Sequence, residues 1–251
     1  MWSVITCSAD DTRFAAVEAN LKKVLAAEEF EIIRIPDARS MAEGYTRGVA
    51  QSKGETIILC HDDIEVLEQE LPRKLRRALE HADIIGVAGT AKLCGAKWVS
   101  AGPPNLYGQI IQLCKDPPGF FDVISWSAPM RIVVGLCALD GVFLCTTRRA
   151  LDAVPFDPAT FDGFHVYDVD FTFSAFRKGF GLAVCTDLPI LHRSYGEFDE
   201  TFNRYAARFR EKYRGQLSPM PEIDWSTCLC RTRDIERALE FFHPPHFGAG
   251  G

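Results

Sequence analysis

The sequence predicts an α/β protein with a mostly parallel central sheet, flanked by helices and followed by a C-terminal helical extension. Two observations carry this. Short runs that are apolar on both faces alternate with stretches of helical hydrophobic period, and the runs stop at acids, proline or glycine. Strands apolar on both faces belong to a sheet covered on both sides, which receives ligands at the carboxyl ends of its strands.

Trp2–Cys7 is the first such run. It closes on Ser8-Ala9-Asp10-Asp11, after which Phe14, Val17, Leu21, Val24 and Leu25 recur at helical spacing. Phe30–Ile35 is β-rich and stops at Pro36-Asp37. Ser40-Met41-Ala42-Glu43 then has the Ser-x-x-Glu form of a capping box, opening a helix to about Lys53, and Gly54 ends it. Thr56–Cys60 is a third strand closing on His61-Asp62-Asp63, and a helix over 68–81 leads to a fourth strand over 84–88. From 89 to 135 the rhythm breaks at Gly102-Pro103-Pro104 and Asp116-Pro117-Pro118-Gly119, reading as an insertion over the sheet edge. A strand over 141–147, a helix over 168–178, closing strands at Leu182–Cys185 and 188–192, and a helix over 200–213 complete the series. The last helix aligns Phe202, Tyr205, Phe209 and Tyr213 on one stripe. Residues 1–214 are expected to form the main domain and 215–251 an extension packed on or trailing it, with a frayed tail over 243–251.

Composition excludes several function classes. With 28 Lys plus Arg against 34 Asp plus Glu, a net charge of -6 argues against nucleic acid as partner, since phosphate-backbone binding rests on many cationic contacts. The nine cysteines are odd in number and scattered, several within apolar runs, and read as reduced core thiols. Cys228-x-Cys230 lacks the spacing of a zinc site. No membrane span is expected, because the longest uncharged apolar run, 132–139, is far short of the roughly 20 residues required. The start of the chain has no secretory pattern, so the expected location is cytoplasmic.

The candidate chemistry lies at strand ends: Asp10 and Asp11, Asp37, His61-Asp62-Asp63, Asp168-x-Asp170, and His192 after the last strand. Each has a structural alternative. Asp10 and Asp11 suit helix N-caps, Asp168 and Asp170 suit an acidic first turn, and His61-Asp62-Asp63 suits a charged turn. The functional reading is that a hard divalent cation such as Mg²⁺ or Mn²⁺ takes carboxylate oxygen, accepts imidazole when it is Mn²⁺, and carries a diphosphate; Asp63 and His192 suit that role.

The run from Gly54 to Ile64 resembles the third strand and Asp-x-Asp region of GT-A glycosyltransferases, family 2 and its relatives. Gly163-Phe164-His165-Val166-Tyr167-Asp168-Val169-Asp170-Phe171, followed by Arg177-Lys178-Gly179-Phe180-Gly181, is similar to the segment carrying that family's catalytic base. His192-Arg193-Ser194, with Phe202-Asn203-Arg204 and Phe209-x-x-Lys212-Tyr213, resembles its closing strand and following helix. The likeness spans about residues 3–214 and implies a GT-A-like, Rossmann-type fold. His61 stands where the family has its first metal-side Asp, and the Gln-x-x-Arg-Trp signature of processive synthases is absent, so the non-processive branch fits.

The resemblance implies an inverting, metal-dependent transfer of a sugar from a nucleotide-diphosphate sugar to an acceptor hydroxyl, in glycan or cell-surface polysaccharide synthesis. Asp168 is the expected base, with Asp170 capping or orienting. Asp63, His192 and His61 are the expected metal ligands, with Mn²⁺ or Mg²⁺ as cofactor. Ser8, Asp37 and Asp62 are expected to receive the donor's base and ribose. The acceptor is a glycan or a lipid-linked molecule, and the basic run Arg204, Arg208, Arg210, Lys212, Arg214 offers either a solvated helix face or contact with anionic lipid. Trp98, Tyr107, Phe120, Phe121 and Trp126 either stack on a sugar or cover the sheet. Three other readings stay open. A silent nucleotide-sugar-binding module would bind without turnover. A metal-dependent nucleotidyltransferase would need a phosphate-cradling Gly-rich loop, which is missing. A response-regulator receiver would match Asp10, Asp11 and Asp63 but would need a Lys after a fifth strand.

Overall fold

The computed structural model describes residues 1–126, 130–194, 198–221 and 228–242; for Cys228 and Leu229 it gives the backbone path only. The tail expected over 243–251 lies outside the described residues. In chain order the elements are β1 (Trp2–Cys7), α1 (Asp11–Val24), β2 (Phe30–Ile35), α2 (Met41–Gln51), β3 (Thr56–Cys60), β4 (Ile64–Val66), α3 (Leu71–Leu79), β5 (Ile84–Gly86), β6 (Ala88–Thr90), β7 (Leu106–Leu113), β8 (Phe121–Ser125), β9 (Ile132–Val134), β10 (Ala138–Leu139), β11 (Phe143–Thr147), α4 (Arg148–Ala153), α5 (Tyr167–Arg177), β12 (Leu182–Cys185), β13 (Ile190–His192), α6 (Glu200–Lys212), β14 (Cys228–Thr232) and α7 (Ile235–Leu239), with a 3₁₀ turn at Trp98–Ala101.

The central sheet has the order β2-β1-β3-β11-β5-β12-β9. Pairing is parallel for β1 with β2 and β3 and for β5 with β12, whereas β11 and β9 run antiparallel to their neighbours. Val17, Leu21 and Val24 of α1 and Leu71, Leu75 and Ala78 of α3 pack on one face with Val4 and Ile58. Tyr45 of α2, Ala150 of α4 and Phe171 of α5 pack on the other with Ile5, Ile57 and Leu59. Alternate residues of one strand thus feed opposite cores, the signature of a sheet covered on both faces.

The helix starts follow local chemistry. The Asp10 carboxylate accepts from the Thr12 and Arg13 N–H groups at 2.8 and 3.0 Å, and the Ser40 hydroxyl accepts from the Glu43 N–H at 3.1 Å. The helix expected over 68–81 is shorter. Residues Ile64–Val66 are drawn into antiparallel pairing with β13, and Pro72 stands in the first turn of α3.

The region expected as an insertion supplies β6, β7 and β8 to a second sheet, β10-β6-β7-β13-β4, with β8 joining β7 and β14 joining β8, and returns β9 to the central sheet. The chain passes between the sheets several times, and two of these crossings bear on the site: it leaves the central sheet at Val87, between β5 and β6, and re-enters it at Asp140–Val142, between β10 and β11. At the first crossing Gly108 adopts φ +122°, and a Cβ there would stand 2.2 Å from the Val87 carbonyl oxygen, so only glycine lets β7 approach this closely. The C-terminal extension supplies a strand as well as a helix. β14 pairs with β8, Arg231 grips buried Asp122 at 2.6 and 2.8 Å, and Ala238 and Phe242 are buried with Ile111, Val123 and Leu191.

Candidate active site

Because β1 and β3 are parallel with Thr6 opposite Cys60, their carboxyl ends lie side by side. Ser8 there donates its hydroxyl to Asp62 Oδ2 at 2.7 Å. Asp10 is occupied as the α1 cap, the simpler of its two readings. Asp37 follows β2 at the same edge, but it is exposed and ion-paired with Arg47 of α2 at 3.0 Å; that hydrogen bond lowers its pKa. The structure brings Ser8 and Asp62 together and does not bring Asp37 to them.

The pairing of β4 with β13 sets Ile64 opposite His192, and the Arg193 N–H bonds the Asp63 carbonyl at 2.9 Å. His61, Asp63 and His192 thereby form one group whose ligand atoms all lie within 4.8 Å of one another. Asp63 Oδ1 is 3.3 Å from His192 Nε2 and 3.9 Å from His61 Nδ1, and it is a buried oxygen with no hydrogen-bond partner among the described residues. Burial raises the Asp63 pKa, but His192, Ser194 and His61 more than reverse this, leaving the carboxyl well below its usual range. Desolvation and His192 together lower the His61 imidazole.

Tyr167 settles the orientation of His61. Its hydroxyl lies 2.8 Å from His61 Nε2 and donates to the Gly141 carbonyl at 3.4 Å. The ring is thus anchored through Nε2, with Nδ1 turned towards Asp63. One carboxylate oxygen and two imidazole nitrogens, with an orphaned buried acceptor among them, fit a divalent cation of the Mn²⁺ kind.

Asp168 stands in the first turn of α5, where the return crossing meets it. The Gly141 N–H donates to Asp168 Oδ2 at 2.8 Å, and a Cβ on Gly141 would come within 2.5 Å of the Asp168 Cβ, so the crossing needs glycine. Val166, just before α5, holds φ +69°, a left-handed conformation that is costly for a β-branched residue. Beside Asp168 lies Asp140, whose carboxylate accepts from the Val142 N–H and from Trp98 Nε1–H, each at 2.9 Å. Desolvation first and the charge of Asp140 second push the Asp168 carboxyl up to about 7, against backbone N–H groups that lower it. Asp170, by contrast, is buried between helices. It accepts from the Tyr213 hydroxyl and pairs with Lys212, each at 2.7 Å, fastening α5 to α6.

Asp168, Asp140, His61 and His192 all line one cavity of about 310 Å³. Sequence reasoning missed Asp140 and Tyr167. A signal for Asp140 existed: it is the one charged residue between Arg131 and Arg148, interrupting a run otherwise apolar or small. Of the five candidate aromatic residues, Trp98 and Trp126 line the cavity. The others cover the sheets: Tyr107 packs on the central core, Phe121 on the C-terminal cluster, and Phe120 lies under the Arg233 guanidinium at 4.5 Å. On α6, Arg208 pairs with Asp162 at 2.6 Å and Lys212 with Asp157 at 2.8 Å, which removes much of the charge that an anionic lipid would meet. Among the described residues, no helix is long and apolar enough to cross a membrane.

A sheet covered on both faces thus gathers acids and imidazoles around a cleft at the carboxyl ends of its strands. A family model described as "Glycosyltransferase like family" matches residues 3–213. The chain belongs to this family and is a glycosyltransferase. No curated protein matches it in sequence. Among solved structures it is similar to A197 from STIV, at TM-score 0.45 and 13% identity over 77% of this chain and 86% of that chain. It is also similar to S. aureus TarS 1–349, at TM-score 0.45 and 12% identity over 86% of this chain and 66% of that chain.

Proposed function

We propose that this glycosyltransferase moves a sugar from a nucleotide-diphosphate sugar to an acceptor hydroxyl, with inversion and with a divalent cation. The observation that carries the reading is the shared cavity: a recessed carboxyl raised to about 7 faces the same space as His61 and His192. Asp63, His192 and His61 would hold the cation, which when bound neutralises the leaving diphosphate. Ser8 and Asp62, joined at the neighbouring strand ends, would receive the nucleoside.

The acceptor hydroxyl is a poor nucleophile near pH 7. Asp168, once deprotonated, accepts the hydroxyl proton as its oxygen bonds to the anomeric carbon. The bond from that carbon to the diphosphate oxygen breaks on the opposite face, so one displacement inverts the centre. A carboxyl poised near 7 has both the ionised form and the driving force for proton transfer at neutral pH. Gly141 N–H and the Asp140 side chain hold this end of the cavity in register. Buried thiols such as Cys60, Cys145 and Cys185 suit a reducing compartment and support a cytoplasmic site of action.

The test has two parts. Calorimetry with Mn²⁺ and UDP or GDP should show cation-dependent binding that Asp63→Ala abolishes, with a smaller loss for His192→Ala because neutral imidazole adds no charge. Product anomers from a nucleotide-sugar panel, read by NMR, should be opposite to the donor's; retained anomers would refute the single displacement.

A further inference from the structure

The cavity that ends on Asp168 is acidic at one end and aromatic along the rest. Trp98 spends its only polar group on Asp140 and shows the cavity only ring carbon, meeting Trp126 edge to face at 5.1 Å. At the same cavity stand Phe164 and Phe198, 55% and 52% exposed, among the few large apolar side chains that the described surface leaves in water. The Lys97 ammonium sits 4.0 Å above the Phe198 ring, a cation–π contact that holds the ring in place. Apolar area left beside a reaction cleft marks a binding surface. Among the described residues the buried Trp126 indole N–H has no hydrogen-bond partner, which leaves one donor for an oxygen of a ligand. A pyranose stacked on such rings keeps its hydroxyls at its rim and needs polar partners there, whereas an alkyl or aryl group needs none.

Resting on the transferase reading above, we propose that the acceptor is amphiphilic: its reacting hydroxyl meets Asp168, and an alkyl or aryl group attached to it lies against Trp98, Trp126, Phe164 and Phe198. The acidic end then handles the proton while the aromatic wall selects and orients the molecule. This selection is independent of the nucleotide, whose expected pocket at Ser8 and Asp62 lies at other strand ends.

Binding of octyl, phenyl and methyl β-D-glucopyranoside to the full chain, followed by calorimetry below the octyl glucoside micelle concentration, tests the proposal. The expected result is one-to-one binding of the octyl or the phenyl compound at least tenfold tighter than that of methyl glucoside. Phe164→Ala and Phe198→Ala should each weaken that binding several-fold without moving the melting temperature, since both side chains are largely exposed. Preference for octyl identifies a lipid-like acceptor and preference for phenyl an aromatic one. Equal affinities across the three, no binding by any of them, or no response to either Phe substitution overturns the proposal. Mn²⁺-dependent UDP or GDP binding, measured in parallel, reports on the transferase reading by itself: its absence alongside tight octyl or phenyl binding would fault that reading and not this one.

Discussion

Asp168 and Asp140 divide the work at the acidic end of the cavity by their surroundings. Asp140 has both oxygens bonded, to the Val142 N–H and to Trp98 Nε1–H, which fixes its orientation. Asp168 is desolvated and lies in the field of Asp140, which together outweigh the Gly141 N–H and push its carboxyl up to about 7. Asp168→Asn keeps the shape but cannot take a proton, and transfer should fall by roughly a hundredfold to ten-thousandfold with nucleotide affinity unchanged. Asn is as good as Asp in a helix first turn or cap, so wild-type turnover in that variant would return Asp168 to a purely structural role. Asp170→Asn, away from the cavity, should cost less activity. Asp140→Asn removes the repelling charge, and the acid limb of the kcat/KM profile should move down by roughly one pH unit. An unmoved limb would mean that desolvation alone sets the Asp168 value.

At the scale of elements, what the sequence made legible was the part governed by local periodicity. β1, β2, β3 and β12 and the helices α1, α2, α5 and α6 lie where apolar spacing and caps put them, to within a few residues. What was not legible depends on non-local pairing. β4 is three residues long, too short to carry a period, yet its pairing with β13 is what brings Asp63 to His192. The second sheet was hidden for the same reason: β6 and β10 are short, and glycine and proline around β7 look like loop punctuation until Gly108 meets Val87. Among the candidate site residues, Asp63, His61, His192 and Asp168 were readable from strand and helix ends, whereas Asp140 needed the crossing between sheets. The α5–α6 contact offers a test at this scale. Lys212 lies 2.8 Å from Asp157 and 2.7 Å from nearly inaccessible Asp170. Lys212→Met keeps the hydrophobic stem but leaves Asp170 without its counter-ion, and should cost about 2–3 kcal/mol in urea unfolding. A loss under about 0.5 kcal/mol would show that the Tyr213 hydroxyl alone satisfies Asp170.

For the whole molecule, the buried carboxyls pull stability in opposite directions with pH. Burial raises Asp157 and Asp187, but each is lowered on balance: Lys212 and Thr160 hold Asp157 at about 2, and Cys185, Lys74 and Arg77 hold Asp187 below its usual range. Such groups bind fewer protons folded than unfolded, so their contribution is present above about pH 4 and disappears as pH falls through the folded values. Asp168 does the reverse. With a folded value of about 7 against an ordinary 3.8, it binds more protons folded than unfolded across that interval, so its contribution is full below the lower value and is lost as pH rises through the upper one. The cation-free protein should therefore be most stable near pH 4, lose stability steadily as pH rises to 7, and be weaker by on the order of 2–4 kcal/mol at pH 8, roughly 5 °C or more in Tm. On the proposed mechanism activity should climb through the same interval in which stability falls, because the ionised carboxylate proposed to accept the acceptor's proton is also the desolvated charge that strains the fold. Melting curves from pH 5 to 8 in a chelator, for the wild type and Asp168→Asn, decide it. The amide has no proton to lose, so the variant's Tm should be flatter above pH 6 and should exceed that of the wild type at pH 8; two parallel curves would place the charge at Asp168 out of contact with folding stability and remove the basis for its elevated pKa.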